Sequence, residues 1–229
     1  YDITFINTCF ENRKMSYYEH CRYRNFEGVA IVCADFNDPD VLELMNSDLP
    51  VVTIDYVHHN CTAVSSNNIQ GIEDLVKYIY GQGHRKIAYI HGQQASYVTK
   101  DRLASFYRTM DELGLEVPDE YIRTADYLET KEAARQTREI LNLPDVPTCI
   151  IYPDDTALIG GRNVIIEMGL RIPKDISIAG YDGTRMSQLL HPQLTTIRQD
   201  TELIGSEAAK RLIGTIEKPR TTLVERVVI

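Results

Sequence analysis

Several features are missing from this sequence, and each absence closes off a class of function. No apolar run comes near the ~20 residues needed to cross a bilayer. There is no basic surplus: 33 Asp and Glu face 24 Lys and Arg, for a net charge of −9. The chain therefore lacks the clustered cations that a nucleic-acid surface draws on. Cysteines are few and poorly spaced for metal or disulfide work. Cys9, Cys21, Cys33, Cys61 and Cys149 are odd in number and no two form a CxxC, which argues against a disulfide framework or a zinc site. Cys33 and Cys149 fall in apolar runs and are expected as buried thiols. Tyr1 to Thr8 shows no basic region followed by an apolar stretch, so no secretory leader is read there. A reducing cytoplasm is the expected compartment.

Two local motifs invite sharper readings and do not sustain them. His58-His59 has no carboxylate or cysteine at ligand spacing, and neighbours on a strand point to opposite faces, so no metal is expected. Gly81-Gln82-Gly83 follows a helical stretch and precedes an apolar strand, the reverse of the order a phosphate-binding loop needs. No cofactor is expected, and no Ser/His/Asp or Cys/His set points to an enzyme. The basic group His84-Arg85-Lys86 beside these glycines reads as the turn after a helix, where cations oppose the negative end of the helix dipole.

What the sequence does contain is a regular alternation. Short, nearly continuous apolar runs lie at Ile3–Ile6, Val29–Cys33, Val51–Ile54, Lys86–Ile90, Cys149–Tyr152 and Ile176–Ala179. Continuous runs mark strands covered on both faces, hence a parallel sheet. Between them lie helical stripes. Ile69, Ile72, Leu75, Val76 and Ile79 make one, with Ser66, Asn67 or Asn68 as its cap and Gly81 as its stop. Leu103, Phe106, Met110 and Leu113 make the next, ended by Gly114. Further helices are predicted between Glu129 and Leu141, over Asp155–Met168, and through Leu203, Ala208 and Leu212 to Ile216. The fold class is α/β, with βαβ units too numerous for one doubly wound sheet, so two lobes are expected. The polar stretch Asn60–Asn68 reads as a crossing between them. The chain opens directly on a strand, like a domain entered partway through.

In open α/β sheets, ligands sit beyond the carboxyl ends of the strands. The residues that follow each predicted strand are Asp55 and Tyr56; His91-Gly92, with Arg102 in the next helix; Pro153-Asp154-Asp155; Gly180-Tyr181-Asp182-Gly183; and Arg198-Gln199. Carboxylates, an amide, a guanidinium and tyrosines suit a small, neutral, hydroxyl-rich ligand. Each also has a plainer reading. Asp155 directly precedes a helix and suits an N-cap. Asp182 suits a turn, and Arg102 a surface helix residue paired with Asp101 or a nearby carboxylate.

In order and spacing, however, several segments resemble the sensor domain of the LacI/GalR family of transcription regulators. They are Gly83-His84-Arg85-Lys86-Ile87-Ala88-Tyr89-Ile90, then Asp101-Arg102-Leu103-Ala104. Gly169-Leu170-Arg171-Ile172-Pro173-Lys174-Asp175-Ile176-Ser177-Ile178-Ala179-Gly180-Tyr181-Asp182 and Pro192-Gln193-Leu194-Thr195-Thr196-Ile197-Arg198-Gln199 follow. The resemblance runs from Tyr1 to Ile229. It implies a periplasmic-binding-protein-like fold of type I, with two Rossmann-like lobes of parallel sheet joined by a three-strand hinge. The first lobe would hold residues 1–64 and 200–220, without its initial strand and helix. The second would hold 65–199 and 221–229.

The resemblance further implies a ligand-sensing domain of a bacterial repressor. It would bind a small polar effector, a sugar or sugar derivative, between the lobes and so control operator DNA through a helix-turn-helix head absent from this segment. The other partner would be a second copy in a homodimer, with no membrane involved. Carried over, the effector-binding positions are Asp55, Arg102, Asp182 and Gln199, with Tyr127 as a stacking ring. Tyr56, Ser96 and Val98 line the same loops. Two departures stand out. Pro153-Asp154-Asp155 replaces the family's Ala-Asn-Asp, which puts a charged acceptor at Asp154 and points to a ligand richer in donors, such as an amino sugar or polyol. Ser105 replaces a glycine. An extracytoplasmic sugar receptor of the same fold is the alternative.

Overall fold

The computed structural model describes residues 1–6, 9–10 and 13–229, with the backbone alone at 9–10 and 13–14. Tyr1–Ser66 with Asp200–Ile229 form one compact unit, and Asn67–Gln199 form another.

In the first unit, β1 (Cys9–Phe10) and β2 (Arg13–Lys14) make a small antiparallel pair. Then come α1 (Tyr17–Tyr23), β3 (Val29–Ile31), α2 (Pro39–Met45), β4 (Val51–Ile54) and β5 (Thr62–Ser65). The chain returns as α8 (Thr201–Glu217) and β11 (Arg226–Val228). The sheet order is β11-β5-β4-β3, all parallel. Alternate residues of the strands serve opposite faces. Ile31 and Val51 pack with Cys21, Leu44 and Met45 from α1 and α2, while Val52 and Val64 pack with Ile204 and Ala208 from α8.

Four expectations need correction in this unit. Ile3–Ile6 is not a strand; Ile3 is 86% and Phe5 98% exposed, and no described strand pairs with the run. A strand exists through its ladder, and an apolar run without a partner has none. The stretch 60–68 does hold the crossing, between Ser66 and Asn67, but it is not all connection: it contains β5, a central strand whose Ala63 and Val64 are buried between two neighbours. Its Thr and Ser ends hide it from a hydropathy reading. Cys33 is exposed, because the chain leaves β3 at Ile31 and Cys33 adopts φ +52 in the turn. Residues 221–229, expected with the second lobe, lie in the first unit, because β11 pairs in parallel with β5. The Cys9 thiol lies outside the described residues.

The second unit runs α3 (Asn68–Gly81), β6 (Ile87–His91), α4 (Tyr97–Glu112), β7 (Ile122–Thr124), α5 (Thr130–Leu141), β8 (Cys149–Ile151), α6 (Asp155–Glu167), β9 (Ser177–Asp182), α7 (Arg185–Leu189) and β10 (Thr195–Arg198). Its sheet order is β10-β9-β8-β6-β7, again all parallel. Continuous apolar strands divide cleanly by period two. Ile87 and Tyr89 of β6 and Cys149 and Ile151 of β8 face α3 and α4. Ala88, Ile90, Ile150 and Tyr152 face α5 and α6. Burial pushes the Cys149 thiol up to about 12, leaving it an inert core group. β7 has only Ile122 as an apolar residue and was not predicted; it forms because β6 offers an open edge. At the end of α3, Gly83 takes φ +97 and Arg85 donates to the Tyr80 carbonyl while lying 3.7 Å over the Tyr80 ring. That is the helix-terminal role expected of the basic group.

Helices α5 and α6 approach so closely that a Cβ at Gly160 would lie 2.0 Å from the Thr130 carbonyl oxygen. Backbone cannot yield as a side chain can, so Gly160→Ala should destabilise by ~1–3 kcal/mol or more through overpacking. Gly205 in α8 has nothing within 4 Å of its Cβ position, so Gly205→Ala should stabilise by ~0.5–1 kcal/mol. Urea unfolding of the two variants should therefore move in opposite directions from the parent.

Candidate functional site

The carboxyl ends of β6, β8, β9 and β10 lie on one rim of the second unit's sheet, as parallel pairing requires. Arg102, in the second turn of α4, is 3% exposed. A buried guanidinium must be satisfied where it lies. Its Nε donates to Asn68 Oδ1 at 2.8 Å, its Nη1 to the Pro153 carbonyl at 2.9 Å, and its plane sits 3.4 Å over the Tyr181 ring. Nη2 makes no hydrogen bond among the described residues and is left to a ligand or solvent. This is a fixed, stacked cation and not the surface helix residue that pairing with Asp101 would have made it.

Asp182 ends β9 at φ +104, a backbone conformation that L residues rarely adopt. Gln199, just past the neighbouring β10, donates Nε2–H to Asp182 Oδ1 at 2.6 Å, and its backbone N–H reaches the Asp182 carbonyl at 3.1 Å. Asp182 Oδ2 receives no hydrogen bond among the described residues. Burial pushes this carboxyl up to about 6; the Arg102 charge and the Gln199 bond pull it down, and the charges of Asp154 and Asp155 push it further up.

Tyr127 stands on the loop after β7. Its hydroxyl pairs with Thr99 Oγ1 at 2.8 Å, and its ring occupies the space of a missing side chain: a Cβ on Gly92 would lie 2.2 Å from it. The Arg102 guanidinium is 6.0 Å from that ring. Beneath the loop, His91 is buried, with Nδ1–H donating to the Gly92 carbonyl at 2.7 Å, and desolvation holds its pKa below the ordinary histidine value. Tyr127, Arg102, Tyr181, Asp182 and Gln199 thus come together as an aromatic and charged cluster. Ser96, at the N-cap of α4, and Val98, in its first turn, are half-buried at the same rim.

The cap expected of Asp155 falls to its neighbour. Asp154 is the N-cap of α6: its Oδ1 accepts from Ala157 N at 2.8 Å and its Oδ2 from Leu128 N at 2.8 Å. It is 1% exposed, so its charge meets backbone donors, and the expectation that it alters ligand preference by direct contact does not stand. Asp155 does not cap. Asp55 and Tyr56 belong to the first unit, at the carboxyl end of β4. Asp55 takes φ +63, and Tyr56 stacks on Phe36 with centroids 4.1 Å apart.

Sequence reasoning missed Thr99, and it placed Tyr181 and Gly92 at strand ends and Asn68 at a cap without the contacts they make here. Asn68 was considered only as a helix cap, yet Asn67 caps α3 and frees Asn68 for Arg102. Tyr181 carried a usable signal, because it follows Ala179 at period two on a strand facing α3 and α4. Thr99 and Gly92 acquire their roles only through the placement of Tyr127.

With this geometry in view, comparison with known proteins is informative. Residues 76–229 match the periplasmic binding protein-like domain family. The HTH-type transcriptional repressor PurR of Actinobacillus pleuropneumoniae serotype 3 (strain JL03) is 29% identical over 225 residues, covering 96% of this chain and 66% of that protein. A transcriptional regulator LacI from Bacillus cereus subsp. cytotoxis NVH 391-98 superposes with a TM-score of 0.84 at 26% identity, covering 93% of this chain and 76% of that one. A transcriptional regulator CelR, solved as its cellobiose complex, superposes with a TM-score of 0.81 at 25% identity, covering 93% and 68%. The chain belongs to the periplasmic-binding-protein-like domain family, as a LacI-type effector-binding domain. It spans about three-fifths to two-thirds of the length of the curated relatives it matches.

The raised Asp182 pKa yields a stability prediction with a definite sign. The folded state holds this proton more tightly than the unfolded chain, whose carboxyl titrates near 3.8. The charged carboxylate therefore lowers stability by an amount absent below pH ~4, growing between pH ~4 and ~6, and constant above. Asp182→Asn retains a residue that tolerates positive φ. Its stability relative to the parent should rise across pH 4 to 7 by on the order of 1–2 kcal/mol, after discounting for partial exposure. Thermal unfolding across that range reads the effect, and a pH-independent difference would refute it.

Proposed function

We propose that this chain is the effector-sensing part of a bacterial transcriptional repressor, and that its effector is a carbohydrate or a close polyhydroxy relative. One observation carries the reading. A buried guanidinium, fixed on a tyrosine ring, stands beside an aspartate whose second oxygen is left for a donor, with a second tyrosine ring near by. A planar donor, an acceptor and aromatic faces are what a hydroxyl-bearing ring calls for. Support also comes from the relatives named as HTH-type repressors and from a structural neighbour solved with cellobiose.

The function is binding, not bond chemistry. A ligand that favours one of two conformations shifts their populations by its differential affinity, and that shift sets how a dimeric repressor presents its DNA-binding heads to half-sites one helical turn apart. Operator DNA and a second copy of the chain are the macromolecular partners in this reading. Sedimentation of the chain with and without effector checks the second of these.

A thermal-shift screen over cellobiose, monosaccharides, amino sugars and polyols, with nucleosides as a contrasting class, tests the effector assignment, since a selective binder raises the unfolding midpoint. Arg102→Lys keeps the charge and loses the planar fork. It should weaken binding of the selected carbohydrate by about 10–100-fold, the equivalent of one or two charge-assisted hydrogen bonds. Selection of nucleosides alone would remove the carbohydrate assignment, and an unchanged Arg102→Lys affinity would remove the site.

A further inference from the structure

Two consecutive carboxylates, Asp154 and Asp155, are 1% and 2% exposed and so closed to a ligand, yet each reaches a different loop of the effector site. Asp154 Oδ1 is used by the α6 cap, and its Oδ2 turns outward to the Leu128 amide. Leu128 adopts φ +61 and is 59% exposed. No apolar burial holds it in that unfavourable backbone conformation, whereas a charge-assisted hydrogen bond of 2.8 Å does. The residue before it is Tyr127, whose ring lies where a Cβ on Gly92 would be.

Asp155 does for the opposite flank what Asp154 does for this one. Its Oδ2 accepts both the backbone N–H of Thr184 at 2.7 Å and the Thr184 hydroxyl at 3.0 Å, and its Oδ1 accepts the Thr196 hydroxyl at 2.7 Å. Thr196 Oγ1 in turn receives Gly183 N–H at 3.2 Å. The turn that follows Asp182 is thereby tied to α6 and to β10.

We propose that Asp154 and Asp155 are paired positioning residues, Asp154 setting the Tyr127 loop and Asp155 setting the Asp182 turn, so that one helix start aligns both walls of the site. The consequence for ligand rests on the effector reading above; the positioning itself does not. Every oxygen of the two carboxylates faces N–H or O–H donors, and at Asp154 both partners are backbone N–H groups that cannot reverse to accept. The isosteric amide would turn an NH₂ group toward one of them. At position 154 Asn caps as well as Asp, so its oxygen stays with Ala157 and its amino group meets the Leu128 amide.

The experiment is amide hydrogen exchange by NMR on the whole 229-residue chain, without ligand. Asp154→Asn should speed exchange at Leu128 by on the order of 10–100-fold while Thr184 stays within a factor of ~3. Asp155→Ala, which removes the acceptor of the Thr184 amide outright, should do the reverse. Should it fail to fold, Thr196→Val removes one donor from the same carboxylate and should speed Gly183 and leave Leu128 unchanged. Acceleration of both amides in each variant, of neither, or of the expected amide in only one of the two flanks overturns the pairing. Cellobiose affinity is then measured separately. In a Tyr127→Ala background the Asp154→Asn effect on it should vanish, and its persistence there would overturn the route through Tyr127. Selective exchange with no carbohydrate bound would sink the effector reading while leaving the positioning intact.

Discussion

The constraint on which the second unit's rim depends is the burial of one positive charge. A guanidinium with 3% exposure cannot be left to water, and the fold meets it with a ring beneath, an amide at Nε and a peptide carbonyl at Nη1. Those three partners come from the end of β9, the start of α3 and the end of β8. Satisfying Arg102 therefore draws three separate stretches of chain to one place. A side chain locked in this way keeps its remaining donors in a fixed direction, which is the preorganisation that recognition of a small polar molecule requires.

The segment Pro153-Asp154-Asp155 extends the same logic. Its carbonyl serves Arg102, its first carboxylate the Leu128 amide and its second the Thr184 turn. Three successive residues, crowded at a strand-to-helix junction, thus hold three stretches of chain that share no sequence neighbourhood. The arrangement accounts for two carboxylates buried with no ion pair among the described residues: each meets at least two N–H or O–H donors, and Asp154 also lies at the positive end of a helix dipole. The tension left over is concentrated at Asp182, whose carboxyl is pushed up by burial and by its two acidic neighbours. An acceptor raised in this way gains from any ligand donor that replaces lost hydration.

Much of this was legible beforehand. Continuous apolar runs reported buried parallel strands, and the stripes of α3 and α4 reported their helices, because the periods of burial are written directly in residue order. The convergence of Arg102, Asp182 and Gln199 was legible as well, since the carboxyl ends of parallel strands share one rim. The misses have physical causes. β5 and β7 are short, and Thr62, Ser65, Arg123 and Thr124 mask their apolar residues; these strands exist through their ladders to β4 and β6. Ile3–Ile6 has the reverse problem, apolar in sequence and without a described ladder.

Residue order alone determined the alternating α/β character, the acidic surface and the set of polar groups that strand ends would carry, because each depends on local composition and spacing. The tertiary structure decided which of those groups keep an open polar atom at the rim and which hold others in place. Asp154 and Asp155 are chemically identical neighbours, and only the position of Leu128 and Thr184 in space separates one's task from the other's. Hydrogen bonds act over about 3 Å whatever the separation along the chain, so the assignment of partners belongs to the folded arrangement and not to the sequence order.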